Sequence, residues 1–352
     1  MSASIGLCQR LCLLLLLFSA PAIAAERVAG ETYLGRNQYI EYVAGNLPFI
    51  LSVPHGGREK PEEIPNRASG TFAYDRGTQE IAREIITEFH AKTGGWPHVV
   101  ICRLQRTKLD CNREVVEAAA GNPHAEQAWR EYQGFLDEAH QTVIAQHGRG
   151  LFIDLHGHGH KEQRLEFGYL HSAEELQASD AELDDPRWAA ASSLRGIAAL
   201  NRRPYSQLLR GSLSFGTLMA EHGFPSTPSA AIPKPTTPFF RGGYNTGRHA
   251  RDAVPLAGFQ IETNFTGVRD KPANHQRFAK ALYASLVVYL EANVGVALVP
   301  AKVKTAPVPA PVPVAPSEEV MPISLQSMPI AVSSCRQMAP SDCRRRLLFR
   351  CR

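Results

Sequence analysis

The chain has 352 residues, 38 Lys and Arg against 34 Asp and Glu, and a formal net charge of +4. That length allows a large core in one or two domains. The modest charge, with Arg344, Arg345, Arg346, Arg350 and Arg352 gathered at the end and few aromatic residues beside them, excludes a nucleic-acid-binding domain.

In chain order, Arg10 precedes the apolar run from Leu11 to Phe18, and Ala22-Ile23-Ala24 follows with small residues. That pattern reads as a secretory signal peptide over 1–24, cleaved after Ala24, and predicts a periplasmic or secreted protein. The run is too short to span a bilayer, and no later apolar run reaches about 18 residues. Cys8 and Cys12 leave with the signal. Cys102 and Cys111 are close enough in sequence to pair across a turn, and Cys335, Cys343 and Cys351 cluster near the end. No CxxC spacing occurs, so a cysteine-bound zinc is not expected.

Tyr39–Val43 and Phe49–Val53 read as strands, the second running into Pro54-His55-Gly56-Gly57. A helix follows from about Thr78 to Lys92, with Ile81, Ala82, Ile85, Ile86 and Phe89 on one stripe. Val99–Cys102 is the next strand, and Ala125–Gln146 a long helix. The stretch "LFIDLHGHGH", Leu151 to His160, is a short apolar run between glycines that ends in three histidines at every second position. It fits a strand covered on both faces. Alternation would put His156, His158 and His160 on one side, where imidazole suits zinc and Asp154 could orient a ligating ring. A solvated glycine-histidine loop is the plainer alternative. Gly258–Glu262 is a late strand and Asn274–Ala292 a closing helix. Strands alternating with helices predict an α/β fold, a three-layer α/β/α sandwich on a mostly parallel mixed sheet. From Ala301 the composition changes to a proline-spaced "APVPAPVPVAPSEEV", which cannot bury a core. The folded domain is expected over 26–296, a linker over 297–334 and a basic, cysteine-containing tail over 335–352.

Sites in open α/β sheets form at the carboxyl ends of strands. His55, His156 and Glu262 close three strands, and Arg106-Thr107-Lys108-Leu109-Asp110-Cys111-Asn112-Arg113 follows a fourth. Taken singly, His55 reads equally as a turn histidine, Glu262 as a cap or a partner of an arginine, and Asp110 with Arg113 as a structural ion pair.

Together, "SVPHGG", Asp75 ahead of a helix, "RTKLDCNR", "IDLHGH", "FFRGGYNTG" and "QIETN" resemble, in that order, the N-formylglutamate amidohydrolase-like family. That family is related to zinc carboxypeptidases and aspartoacylases. The resemblance runs from about Ser52 to Arg269. It implies a carboxypeptidase-like sandwich with one zinc ion per chain, held by His55 and His156. The related carboxypeptidases take a glutamate three residues after the first histidine, but Arg58 stands there. Asp75 matches the acidic position of the amidohydrolases, with Glu62 and Glu63 as the other candidates. Glu262 matches the family's late-strand glutamate and is the expected general base. Arg113 and Asn112 match the pair that holds a substrate carboxylate or polarises the scissile carbonyl, and Arg106 and Arg241 are further anion-binding candidates. The family has serine where Gly157 stands, so His158 and His160 belong to a local elaboration.

The expected function is that of an exported zinc-dependent amidohydrolase acting beside a carboxylate-bearing group. Its substrate would be a small molecule or short peptide: an N-acyl amino acid, a γ-glutamyl peptide or a peptidoglycan-type peptide. A carboxypeptidase and a non-catalytic cell-envelope binding protein on the same fold are the rivals. No nucleic acid and no membrane span are expected, and the basic tail offers a contact with the cell envelope.

Overall fold

A computed structural model describes residues 27–301. The expected signal peptide, most of the linker and the basic tail lie outside those residues. Eight strands form one mixed sheet: β1 (Thr32–Leu34), β2 (Ile40–Val43), β3 (Phe49–Val53), β4 (His98–Cys102), β5 (Leu151–Gly157), β6 (Leu165–Gly168), β7 (Ser226–Thr227) and β8 (Ala257–Thr263). Their spatial order is β1-β2-β4-β3-β5-β8-β6-β7. The centre, β4-β3-β5-β8, is parallel, whereas β2 joins β4 and β6 joins β8 antiparallel. This is the mostly parallel mixed sheet expected from the sequence, with the antiparallel pairs on its flanks.

Helices cover both faces, as a parallel centre requires. Alternate residues of the central strands, among them Leu51, Val53, Ile101, Ile153, Leu155 and Ile261, pack with α1 (Thr78–Thr93) and α10 (Pro272–Tyr289). The intervening residues Ile50, Val100 and Phe152 pack with α2 (Val115–Ala119) and α3 (Pro123–His147). A period of two along each strand thus feeds two cores. Helix α3 starts where Asn122 accepts the N–H groups of His124 and Ala125, with Pro123 in the first turn, and ends at Gly148 in the left-handed region. Those are the start and stop signals a helix of this kind needs.

Between β6 and β7 lie five short helices, α4 to α8: Asp180–Leu183, Pro186–Ala191, Arg195–Leu200, Tyr205–Arg210 and Phe215–Glu221. A further short helix, α9 (Tyr244–Thr246), leads into β8. Cys102 and Cys111 are buried free thiols. Burial, then the hydrogen bond to Cys102, raises the Cys111 pKa well above that of an ordinary thiol. No helix among the described residues is long and apolar enough to cross a membrane.

Candidate metal centre

The ends of β3, β5 and β8 and the loop before α1 converge on one cavity of about 550 Å³. His55 follows β3, His156 is the sixth residue of β5, and Glu262 sits directly across from His156 on β8. Gly56 takes φ +90°, and a Cβ there would crowd the Asp75 carbonyl, so the glycine lets the loop of Asp75 close over His55.

His55 Nδ1, His156 Nδ1 and one oxygen of Asp75 meet at a point. The two ring nitrogens are 3.0 Å apart, and Asp75 Oδ2 is 3.3 Å from each. The opposite ring nitrogens are both committed as donors: His55 Nε2 to Asp110 at 2.8 Å and His156 Nε2 to Asp154 at 2.9 Å. Carboxylates only accept, so each neutral imidazole aims a lone pair at the other. Two lone pairs and a carboxylate oxygen at that range require a positive charge between them. Donors on a tetrahedral zinc at ~2.0–2.1 Å would stand about 3.3 Å apart, close to the observed spacing. Burial would lower the His156 pKa, but Asp154 and Asp75 hold it at about 10, so a proton stands in for the cation when none is bound. Burial alone would raise Asp75, yet the two imidazoles bring it well below the usual carboxylate range. The residues fit a metal ion.

Glu262 lines the same cavity and is 6% exposed. Burial, opposed by His156 and reinforced by Asp75, pushes its carboxyl up to about 8. Gln260, two residues earlier on the same face, donates to Glu262 Oε1 at 2.9 Å. The spacing of two in "QIE" was the signal for this contact, which the sequence reading missed.

The other sequence candidates divide. Glu62 and Glu63 are exposed, and Glu63 bonds the Tyr39 hydroxyl, which leaves the carboxylate position to Asp75. Arg58 is turned to Glu80 and Tyr74. Arg106, Arg113, Arg241 and Asn112 all reach the cavity wall. Arg106 is bound to Asp110 at 2.9 Å, and Arg113 pairs with Glu117 at 3.0 Å. The ion pair read between Asp110 and Arg113 is therefore replaced: Asp110 faces Arg106, Arg67 and His55 because it is buried inside the loop. Asn112 Oδ1 accepts the N–H of Asn245, and its amide nitrogen lies 3.3 Å from His156 Nε2, which puts Asn112 against the metal-ligand ring. Arg241 is exposed at the rim. Asp154 is also held by Ser52 at 2.6 Å and by Asn245. Gly157 donates its N–H to Asp75, and a Cβ there would run into the Arg269 guanidinium, which accounts for glycine at that place.

No family model and no curated protein matches the chain. Among solved structures it is similar to N-formylglutamate amidohydrolase from Ralstonia eutropha JMP134, with 12% identity, 73% of this chain and 99% of that one covered, and a TM-score of 0.46. A gene product from Agrobacterium tumefaciens shares 14% identity over 71% of this chain and 94% of its own, with a TM-score of 0.42. The N-acetylmuramyl-L-alanine amidase from Mycobacterium smegmatis shares 12% identity over 69% and 96%, with a TM-score of 0.32. The family named from the order of motifs is thus represented among the solved structures similar to this chain.

Proposed function

We propose that the protein is a zinc-dependent amidohydrolase that cleaves an amide next to a carboxylate-bearing group, and that it works after export. One observation carries the reading: the convergence of His55 Nδ1, His156 Nδ1 and Asp75 Oδ2, with each outer nitrogen locked on a buried carboxylate. Three protein ligands with room beside them fit a catalytic rather than a structural site. Bound there, zinc supplies Lewis acidity and brings the pKa of a water towards about 7.

The chain's own groups do the rest. Glu262, facing the cavity beside His156, takes the proton of the attacking water and returns it to the departing amine. A carboxyl held near about 8 without metal moves down when a cation stands against Asp75, which suits a group that must both accept and release a proton. Arg113, with Arg106 from the same loop after β4, orients the substrate carboxylate, while Arg241 lines the cavity next to Phe240. Asp110 and Asp154 fix the tautomers of the two ligand imidazoles. The N-terminal segment supports export.

The test is metal content together with turnover on N-acyl amino acids, γ-glutamyl peptides and wall-derived peptides. About one zinc per chain and hydrolysis of an N-acyl or γ-glutamyl substrate are expected. A purified protein that binds no metal under saturating zinc would overturn the reading.

A further inference from the structure

His158 and His160 line the cavity, and the buried Glu166 is grouped with them. They do not form a second metal site. His158 Nε2 donates to the Arg164 carbonyl at 2.8 Å, and its Nδ1 accepts the His160 N–H at 3.1 Å. His160 Nδ1 in turn donates to Glu166 Oε1 at 2.9 Å. What this arrangement builds is a wall. Glu166, fully buried in β6, accepts His160 on one oxygen and the backbone N–H of Phe240 on the other at 3.0 Å. The two rings it anchors are stacked, with centroids 4.7 Å apart and planes 18° from parallel. Phe240 nevertheless stays 45% exposed at the cavity. A carboxylate that pins both a loop and a ring holds an apolar face ready before any ligand arrives, which reduces the ordering cost of binding.

The sheet order says which part of a substrate this wall meets. Arg106, Asn112 and Arg113 follow β4, the metal ligands follow β3 and β5, and Glu166 sits on β6 beyond β8. With a carboxylate at the arginines and the scissile carbonyl at the centre, the acyl group extends towards His160 and Phe240. The cavity of about 550 Å³ falls in the range of ~300–1,000 Å³ that houses drug-sized ligands, far more than a formyl or acetyl group fills.

Resting on the amidohydrolase reading, we propose that the His160–Phe240 stack is the acyl-group subsite and that it selects an acyl group with a flat apolar face, an aromatic acyl group above all. Phe240 and His160 are specificity-determining residues, and Glu166 is a positioning residue that acts through them.

The probes are N-acetylglutamate and N-phenylacetylglutamate on the zinc-loaded full chain, with calorimetric binding of acetate and phenylacetate alongside. The phenylacetyl substrate should be favoured in kcat/KM by roughly two- to tenfold, the scale of one well-placed aromatic contact. Phe240→Ala should bring that ratio close to one. Because Phe240 is exposed, loss of its ring leaves the core intact. Glu166→Gln should lower the ratio less. Equal rates on the two substrates in the unaltered protein, or a preference that survives Phe240→Ala, would overturn the subsite. The two readings fail differently. Phenylacetate binding that depends on Phe240 without hydrolysis of either substrate sinks the amidase reading and keeps the subsite. Hydrolysis of both substrates with no selectivity for phenylacetate does the reverse.

Discussion

His55 and His156 each have one nitrogen held by a carboxylate, so which nitrogen faces the centre is decided before a metal arrives. Asp110→Asn and Asp154→Asn keep the shape and remove the charge. Each should weaken zinc binding about 10–100-fold, the usual effect of losing the partner of a ligating histidine, as read by competition with a chelator. Unchanged affinity in both variants would mean that the imidazoles are oriented by packing alone. A proton shared by the two imidazoles must leave when the metal binds, so calorimetry at pH 7–8 in buffers of different ionisation enthalpy should record release of at least one proton per zinc. Glu262→Gln separates base from ligand. It should retain wild-type zinc content while kcat falls about 10²–10⁴-fold. Near-normal kcat with a lowered melting temperature would return Glu262 to a structural part.

At the scale of elements, the parts of the site that were legible in the sequence are those where a short apolar run stops against a chemical residue. "FILSVPH", "LFIDLH" and "FQIE" each announce a buried strand and the group at its end, and β3, β5 and β8 end there. Helices α1, α3 and α10 were legible through long 3.6-residue stripes. Strand β6 was not. "LEFG" is too short to show a period, and its pairing with β8 is a contact between residues about a hundred positions apart. Glu166 therefore escaped notice, as did the five short helices that follow β6, and Phe240 was seen only as part of the motif "FFRGGYNTG". The direction of Asp110 escaped for a related reason: spacing suggested Arg113, and burial chose Arg106 and His55. The β5–β8 pair itself can be tested through Gly258, where a Cβ would press on the Phe152 backbone. Gly258→Ala should cost about 1–3 kcal/mol or more, as overpacking does, and lower zinc content with it because the same strand pair carries His156 and Glu262. A variant as stable as the parent in urea would show that β5 and β8 can separate at that point.

For the whole molecule, acid is the condition that separates the structural histidines from the site. His98 lies within the sheet on β4, and burial holds its pKa at about 3. His140, on α3, is held at about 4 by burial, with Arg248 adding to it. His249 packs edge-on against His140 with centroids 5.2 Å apart and is lowered well below the ordinary value, by burial first and His140 next. All three are neutral in the folded chain and take up protons near pH 6.5 once unfolded. The unfolded state therefore binds more protons as the pH falls, and stability drops from about pH 6.5 downward, by about 1.4 kcal/mol per unit for each group until its folded pKa is reached. His147, His158 and His171, lowered by burial first, add to this fall in the same direction, whereas the groups at the site act differently. His156, raised to about 10, is protonated in both states below pH 6.5 and contributes no slope there. Asp75 and Asp110, held below the usual carboxylate range, lose their stabilisation only below about pH 4. Glu262, raised to about 8, works in the opposite sense between about pH 4.5 and 8, and Glu262→Gln removes it. Urea unfolding of chelated Glu262→Gln should then show a midpoint that is level near pH 7 and falls steadily between pH 6.5 and 4.5. A midpoint that stays level to pH 4.5 would mean that the three histidines reach solvent in the folded chain, and the cores around β4 and α3 would then be more open than their packing implies.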